Sequence, residues 1–449
     1  MPTHRLPLRL KLLYSTGDLT TSAPLAIVAF FQLYFLTDVA GLRPDYAAWA
    51  VAAGRLWDAV NDPLFGMFSD RLRSRWGRRR VLLLFGAVPL GLAFGLMWLV
   101  PPLPPAGLAA YYAVVFILFD TAYTAVHVGY NALTPELTED YDERSALNGF
   151  RMVYAIGGAL GAVILATVLG WVIPDARALF AGLGLGLGLL AIAPPLIVFR
   201  VTAGRESPAP AQSLPALAGL RATLRNFPFW MVTGLYLLSW TTASLLSAVL
   251  VYFASYYLRV PEQANYFVLA AQAAAIAFVP LSVWLARRLD KRRAFIIGMA
   301  AWGAAALGIA ALPPDQVALA YGLAVFSGLG IATAYVLPWA MVPDIIEHDQ
   351  LRTGERREGS YYAFIAFFQK LGTGAALWLV GQALAWAGYV TPAAGAVVEQ
   401  PPQAVQAIRA FAGPVPAALL LGAVLFAWAY PITRASHQAT VAELAGRDG

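Results

Sequence analysis

Residues 55–62 read RLWDAVND, a stretch in which Arg55, Asp58, Asn61 and Asp62 interrupt an otherwise apolar run. On a helix Asp58 and Asp62 are i,i+4 neighbours on one face, with Arg55 one turn earlier on the same side. Two carboxylates that close repel each other in a low dielectric unless a proton or cation lies between them. With the amide of Asn61 they supply hard oxygen ligands, which suit Na+, Li+ or H+ better than a transition metal. A second run carries Asp120, Thr124 and His127 at i, i+4 and i+7, again one face. Asp18, Arg151 and Lys370 stand within or at the edge of further apolar stretches. An ionised side chain at the centre of a spanning helix costs roughly 2.5–3.5 kcal/mol, so each retained charge is a candidate for function. Asp18, Asp58, Asp62 and Asp120 outnumber Arg55, Arg151 and Lys370 by one, so one bound cation would neutralise the set. Bland readings stand beside these: Arg55 with Asp58 as a local ion pair that orients helices, and His127 as a hydrogen-bonded packing residue. Lys370 has no acidic residue at i±3 or i±4, which leaves an interhelical salt bridge or a substrate headgroup.

The elements that must hold these charges follow from composition. The chain has 449 residues, 59% apolar and 12% charged, with mean hydropathy +0.64, the balance of a polytopic membrane protein rather than a soluble domain. Cysteine is absent, which excludes disulfides, thiolate nucleophiles and cysteine-ligated metals. Apolar stretches of about 20 residues or more, the length that crosses a bilayer, fall near 14–38, 46–69, 81–100, 107–134, 147–172 and 178–199. A second set falls near 229–258, 263–286, 294–312, 316–342, 360–388 and 413–433. The expected architecture is therefore an all-α polytopic membrane protein with twelve transmembrane helices in two six-helix bundles. Its parts are 1–200, a linker at 201–227 rich in Pro, Ala and Ser, a second bundle at 228–434, and a tail at 435–449.

Charge orients these spans. Of the 31 Lys and Arg residues, Arg55 and Lys370 are inside helices and Arg43, Arg177, Arg259 and Arg409 fall on one set of alternating connections. All the others fall on the opposite set, which places both termini and the linker in the cytoplasm of a cell (inner) membrane. The net charge of +6 is thus topological and does not point to nucleic acid. The start, MPTHRLPLRLKLLYSTGDL, reads as a cytoplasmic tail entering a retained helix rather than a signal peptide.

The halves echo one another. PELTEDYDERS from Pro135 is similar to PDIIEHDQLRTGERREGS from Pro343, and the basic cluster Arg78 to Arg80 recurs at Arg288 to Arg293. Such a parallel duplication resembles the plan of the major facilitator superfamily, which implies a substrate site near the midplane and alternating access. GMFSDRLRSRWGRRR resembles that superfamily's G-x-x-x-D-R…G-R-R loop, implying a gating role for Asp70, Arg71 and Arg78; plain positive-inside topology explains the arginines but not Asp70. GLGLGLGL at 182–189 follows no strand, lies in an apolar span, and reads as small residues that let helices pack closely. No nucleophile and base, phosphate loop or metal-ligand spacing can be assembled, so neither enzyme nor bound cofactor is expected.

LYFLTDVAGL, GRLWDAVNDPLFG, YNALTPELTEDYDERSALNGFRM and VPDIIEHDQLRTGERREGSYYAFIAFFQK together resemble the glycoside-pentoside-hexuronide:cation symporters, which include melibiose permease and relatives such as the sodium-dependent lysophosphatidylcholine symporters. The resemblance implies a cation site at Asp58, Asn61, Asp62 and Thr124, with Na+ at Asp58 and Asp62 and H+ or Li+ as alternatives, and functional roles for Arg151 and Lys370. The sugar permeases' first-span Lys-Asp pair falls on Thr21 and Ser22 here, their fourth-span aspartate on His127, a tenth-span tryptophan on Tyr335, and eleventh-span polar residues on Ile365 and Ala366. An unpaired sugar hydroxyl costs about 1–3 kcal/mol, which this apolar set does not offset. The run FDTAYTAVHVGYNALT resembles the lysophospholipid branch instead, so the expected substrate is a lysophospholipid-like amphiphile, with a sugar or glycoside as the alternative. The substrate contacts expected are Asp18, Thr21, Ser22, Tyr123, His127, Arg151, Tyr335 and Lys370. Membrane lipid is the remaining partner and a monomer the expected state. A non-coupled lipid scramblase or receptor would share the spans without needing the four-residue cation constellation.

Overall fold

The computed structural model describes residues 6–72, 74–138, 141–205, 224–354, 358–392 and 398–447. Among them there is no strand. Helices α1 (Leu8–Ser15) and α2 (Gly17–Tyr34) run into a π-helical turn at Phe35–Val39, followed by α3 (Pro44–Arg71), α4 (Arg80–Leu96), α5 (Pro105–Leu137), α6 (Tyr141–Val172) and α7 (Ala176–Val201). Next come α8 (Phe227–Tyr252), a second π-helical turn at Phe253–Tyr257, α9 (Ala264–Leu289), α10 (Lys291–Ala311) and α11 (Val317–Thr353). Then follow α12 (Glu358–Trp386), α13 (Pro402–Ala412), α14 (Pro414–Ala429) and α15 (Arg434–Arg447).

Punctuation in the sequence sets many of these bounds. Proline opens α3, α5, α8, α13 and α14 at their first or second position, where its missing N–H is no loss. Gly354 closes α11 with φ +73°, the left-handed cap that a side chain would strain. Ten segments among the described residues are long and apolar enough to cross a membrane, and Arg80–Leu96 is a shorter apolar helix beside them. Pro44–Arg71 has the length, yet its charges lower its hydropathy, and those are the charges that drew attention in the sequence. Trp171, Trp386 and Trp428 are 69–77% exposed, an outward apolar surface that a bilayer would cover.

The chain divides into two compact units, Met1–Ala211 with Gly381–Glu399, and Gln212–Val380 with Gln400–Gly449. The end of α12 and the segment after it, within the stretch expected for the second bundle, thus group with the first unit. There the Tyr389 hydroxyl donates to the buried Asp38 carboxylate at 2.8 and 2.9 Å. The first unit is cored by Phe35, Trp98 and Phe180, the last two stacked at 5.4 Å. Helices α4 and α7 meet at glycine: a Cβ on Gly91 would lie 2.4 Å from the carbonyl oxygen of Gly188. The GLGLGLGL run is helix packing, as its composition suggested. The second unit is cored by residues that include Phe229, Met299, Trp302, Met341 and Tyr361.

The two π-helical turns repeat one hydrogen-bond pattern, Ala40 N–H to Phe35 O in the first half and Leu258 N–H to Phe253 O in the second. The echo has a counterpart in the sequence, since a Tyr-Phe pair stands at the start of each turn, Tyr34–Phe35 and Tyr252–Phe253.

Candidate cation and substrate site

In the first unit, Asp58 and Asn61 on α3 and Thr124 on α5 are buried at 6%, 1% and 1% exposure, and Asp62 is half-buried. The Thr124 hydroxyl donates to Asp62 Oδ1 at 2.9 Å. Asn61 Nδ2 donates to the backbone carbonyl of Asp120 at 3.2 Å, which pins α3 to α5 and leaves the amide oxygen available as a ligand. The spacing on α3 put three of these groups on one face; the pairing with α5 supplies the fourth. Among the described residues no three His, Cys, Asp or Glu converge as a transition-metal site would require. Carboxylates, an amide oxygen and a hydroxyl are the oxygen donors that hard cations take.

A second polar cluster lies around Asp18 on α2. Arg151 on α6 donates from Nε to Asp18 Oδ2 at 3.0 Å and from a terminal nitrogen to Oδ1 at 3.2 Å. The same guanidinium donates to Thr134 Oγ1 at 2.8 Å and Asn131 Oδ1 at 2.6 Å, and stacks 4.5 Å from the centre of the Tyr130 ring. Tyr130 donates its hydroxyl to Asp18 Oδ2 at 2.5 Å, and Tyr14 donates to the Tyr130 carbonyl at 2.7 Å. A partly buried Arg–carboxylate pair persists only when its remaining donors and acceptors are also satisfied, and here they are. Sequence reasoning missed Tyr14, Tyr130, Asn131 and Thr134. Tyr130 and Thr134 are one turn apart and Tyr130 one turn beyond His127, a periodic signal that was present in YNALT.

The positions that would grip a sugar are differently engaged. Thr21 and Ser22 donate their hydroxyls to the Asp18 backbone carbonyl at 3.1 and 2.7 Å, turning both toward their own helix. His127 Nδ1 lies 3.1 Å from the Tyr123 hydroxyl one turn back on α5. Tyr335 and Lys370 are in the second unit, Tyr335 with its ring 5.2 Å from that of Trp240 and Lys370 half-buried on α12. Asp70 and Arg71 end α3, but their side chains are outside the described residues. Arg78 is half-buried, and nearby Arg80 donates to the Phe199 carbonyl at 2.6 and 2.9 Å, capping the end of α7.

The family model described as MFS/sugar transport protein matches residues 13–434. The chain belongs to this transporter family. It is therefore an integral membrane transporter of the major facilitator fold, not an enzyme. Among relatives of this transporter, an uncharacterized symporter of Synechocystis sp. is 34% identical and matched over 95% of this chain and 94% of its own. A putative glycoside/cation symporter of Escherichia coli K12 is 28% identical over 98% and 95%. The sodium-dependent lysophosphatidylcholine symporter 1 of Gallus gallus is 27% identical over 95% and 87%. The crystal structure of a D-xylose–proton symporter superposes with a TM-score of 0.67 at 15% identity, covering 94% of this transporter and 97% of that chain, a likeness of fold.

Proposed function

We propose that this transporter is a cation-coupled symporter that works by alternating access, with Na+ as the coupling ion and a lysophospholipid-like amphiphile as substrate. The observation that carries the ion assignment is the Thr124 hydroxyl held 2.9 Å from Asp62, beside buried Asp58 and Asn61. A cation among these groups relieves the repulsion of two carboxylates, and its departure restores it, so occupancy is coupled to the packing of α3 against α5. H+ uses this donor set less fully, because an amide and a hydroxyl oxygen contribute as ligands only to a metal ion, and Li+, which takes the same donors, is the alternative cation. Asp70, Arg71 and Arg78 act as the gate of the α3–α4 connection, on the cytoplasmic side with both termini, in an inner membrane, and the working unit is a monomer.

The amphiphile reading is supported by the inward-turned hydroxyls of Thr21 and Ser22, by buried Ile365, and by the Tyr123 partner of His127. Lys370 is the cation proposed for the headgroup phosphate. A glycoside remains the second reading, favoured by the dense donors and acceptors around Asp18, Asn131 and Thr134 and by the name of the Escherichia coli relative.

Uptake into proteoliposomes of a labelled lysophospholipid and, separately, a labelled galactoside, each with and without an inward sodium gradient, tests both parts. Sodium-stimulated accumulation of the lipid alone is the expected result. Accumulation of the galactoside alone overturns the substrate, and uptake indifferent to the gradient overturns the coupling.

A further inference from the structure

In the second unit a cavity of about 300 Å³ opens between the end of α9, the start of α10, residues 336–344 in the second half of α11 and the tail helix α15. Its inner wall is apolar, including Val283, Val336 and Leu337, and its rim carries Arg287, Lys291 and Arg434 against Asp290 and Asp344, with His437 beside them. These charges are not equally committed. Lys291 Nζ donates to both oxygens of Asp344 at 2.7 Å, and His437 Nε2 lies 2.7 Å from Glu347 and 3.4 Å from Asp344. Arg434 uses one terminal nitrogen to cap the α9 carbonyls of Ala286 and Arg287 at 2.9 and 2.6 Å, which leaves its other donors open. The guanidinium of Arg287 is exposed and makes no ion pair among the described residues.

Two further observations mark a built site rather than a chance hollow. Tyr430, 1% exposed, lines the cavity, and its hydroxyl has no hydrogen-bond partner, an unusual state for a buried polar group. Asp290, at the junction of α9 and α10, holds φ +94°, a conformation that disfavours side chains, and its carboxylate accepts from the backbone N–H of Arg434 at 3.0 Å. The tail helix is thus tied to a strained corner, and the corner closes one side of the cavity. Trp284 and Leu281, exposed on α9 beside the cavity, are side chains of the kind enriched where acyl chains meet headgroups.

We propose that this cavity binds the phosphate group of an anionic phospholipid, with Arg287 and Arg434 as its charge partners and the Tyr430 hydroxyl as a further donor. Basic pockets between spanning helices at the membrane surface recognise such headgroups, each nearby cation strengthening binding about fivefold. Lipid bound there bridges α9 and α15 and holds the tail helix in place. Nothing in this site depends on the ion or substrate assigned to the transport pathway.

The test uses purified full-length protein and measures the thermal unfolding midpoint and the lipids retained in native mass spectra on adding phosphatidylglycerol, phosphatidylcholine or glycerol phosphate. Phosphatidylglycerol is expected to raise the midpoint and to be retained, and phosphatidylcholine to do neither. Arg287→Gln, which alters an exposed side chain with no ion pair among the described residues, is expected to lower phosphatidylglycerol affinity about fivefold, and Tyr430→Phe to lower it further. Arg352→Gln, which removes an exposed charge outside the cavity, is expected to change nothing. A response to glycerol phosphate that Arg287→Gln abolishes also supports the phosphate pocket and assigns a soluble ester as its source. Equal responses to both lipids, or a wild-type response in Arg287→Gln, overturns the proposal.

Discussion

Arg151 and Asp18 face each other as a two-point pair, Nε to Oδ2 at 3.0 Å and a terminal nitrogen to Oδ1 at 3.2 Å, linking α6 to α2. The pair is enclosed: the two side chains are 16% and 12% exposed, and Tyr130, Asn131 and Thr134 complete their hydrogen bonding. Removing one partner strands the other charge away from water, which costs about 3–5 kcal/mol. Asp18→Asn is therefore expected to lower the unfolding midpoint sharply, and Asp18→Asn with Arg151→Gln to recover part of the loss. A double variant less stable than either single one would show that the pair is not the unit that matters.

At the candidate ion site the expected effects are graded. Asp62→Asn removes a ligand charge and should abolish gradient-driven uptake while leaving the midpoint near that of wild type. Thr124→Ala removes a neutral donor, worth about 1.5–3 kcal/mol beside a charge, so the apparent sodium affinity should fall about tenfold or more, with Thr124→Ser restoring most of it. Uptake against sodium concentration measures both.

Lys370→Ala is expected to impair transport of a zwitterionic or anionic amphiphile about tenfold, the scale of one charge-assisted hydrogen bond, and to leave a neutral glycoside nearly unaffected. Competition of the two substrates in the same vesicles reads the difference. Equal losses would remove the headgroup role.

Gly91→Ala pushes a methyl group into the Gly188 carbonyl, 2.4 Å away, where no side chain can yield. Overpacking of this kind costs about 1–3 kcal/mol. Gly186→Ala, where a Cβ meets nothing within 4 Å, is the comparison and should be neutral in the same thermal unfolding measurement.

Much of this was legible in the sequence for a stated reason. Hydropathy and the positions of Lys and Arg report directly on which segments enter lipid, because backbone polar groups there must be satisfied within a helix. The i,i+4 spacing of Asp58 and Asp62 reports which groups share a face. Partners on other helices are a different matter: Tyr14, Tyr130 and Asn131 around the Asp18–Arg151 pair come from two further helices, α1 and α5, and Tyr389 reaches Asp38 from 351 residues away. Thr21 and Ser22 stand where substrate contacts are expected, and only the structure shows that each donates its hydroxyl to the carbonyl one turn back on its own helix.

By itself the sequence determined that the chain lives in a membrane as a bundle of apolar helices, and that α3 presents two carboxylates and an amide on one face, because periodicity and hydropathy are local properties. Only the tertiary structure decided that Thr124 meets Asp62, that Arg151 is held by Asp18, and that α15 folds back beside Asp290 and Asp344 to enclose a cavity. Those pairings depend on how helices cross and rotate against each other, which is fixed by packing at contacts such as Gly91 against Gly188 and not by any single segment.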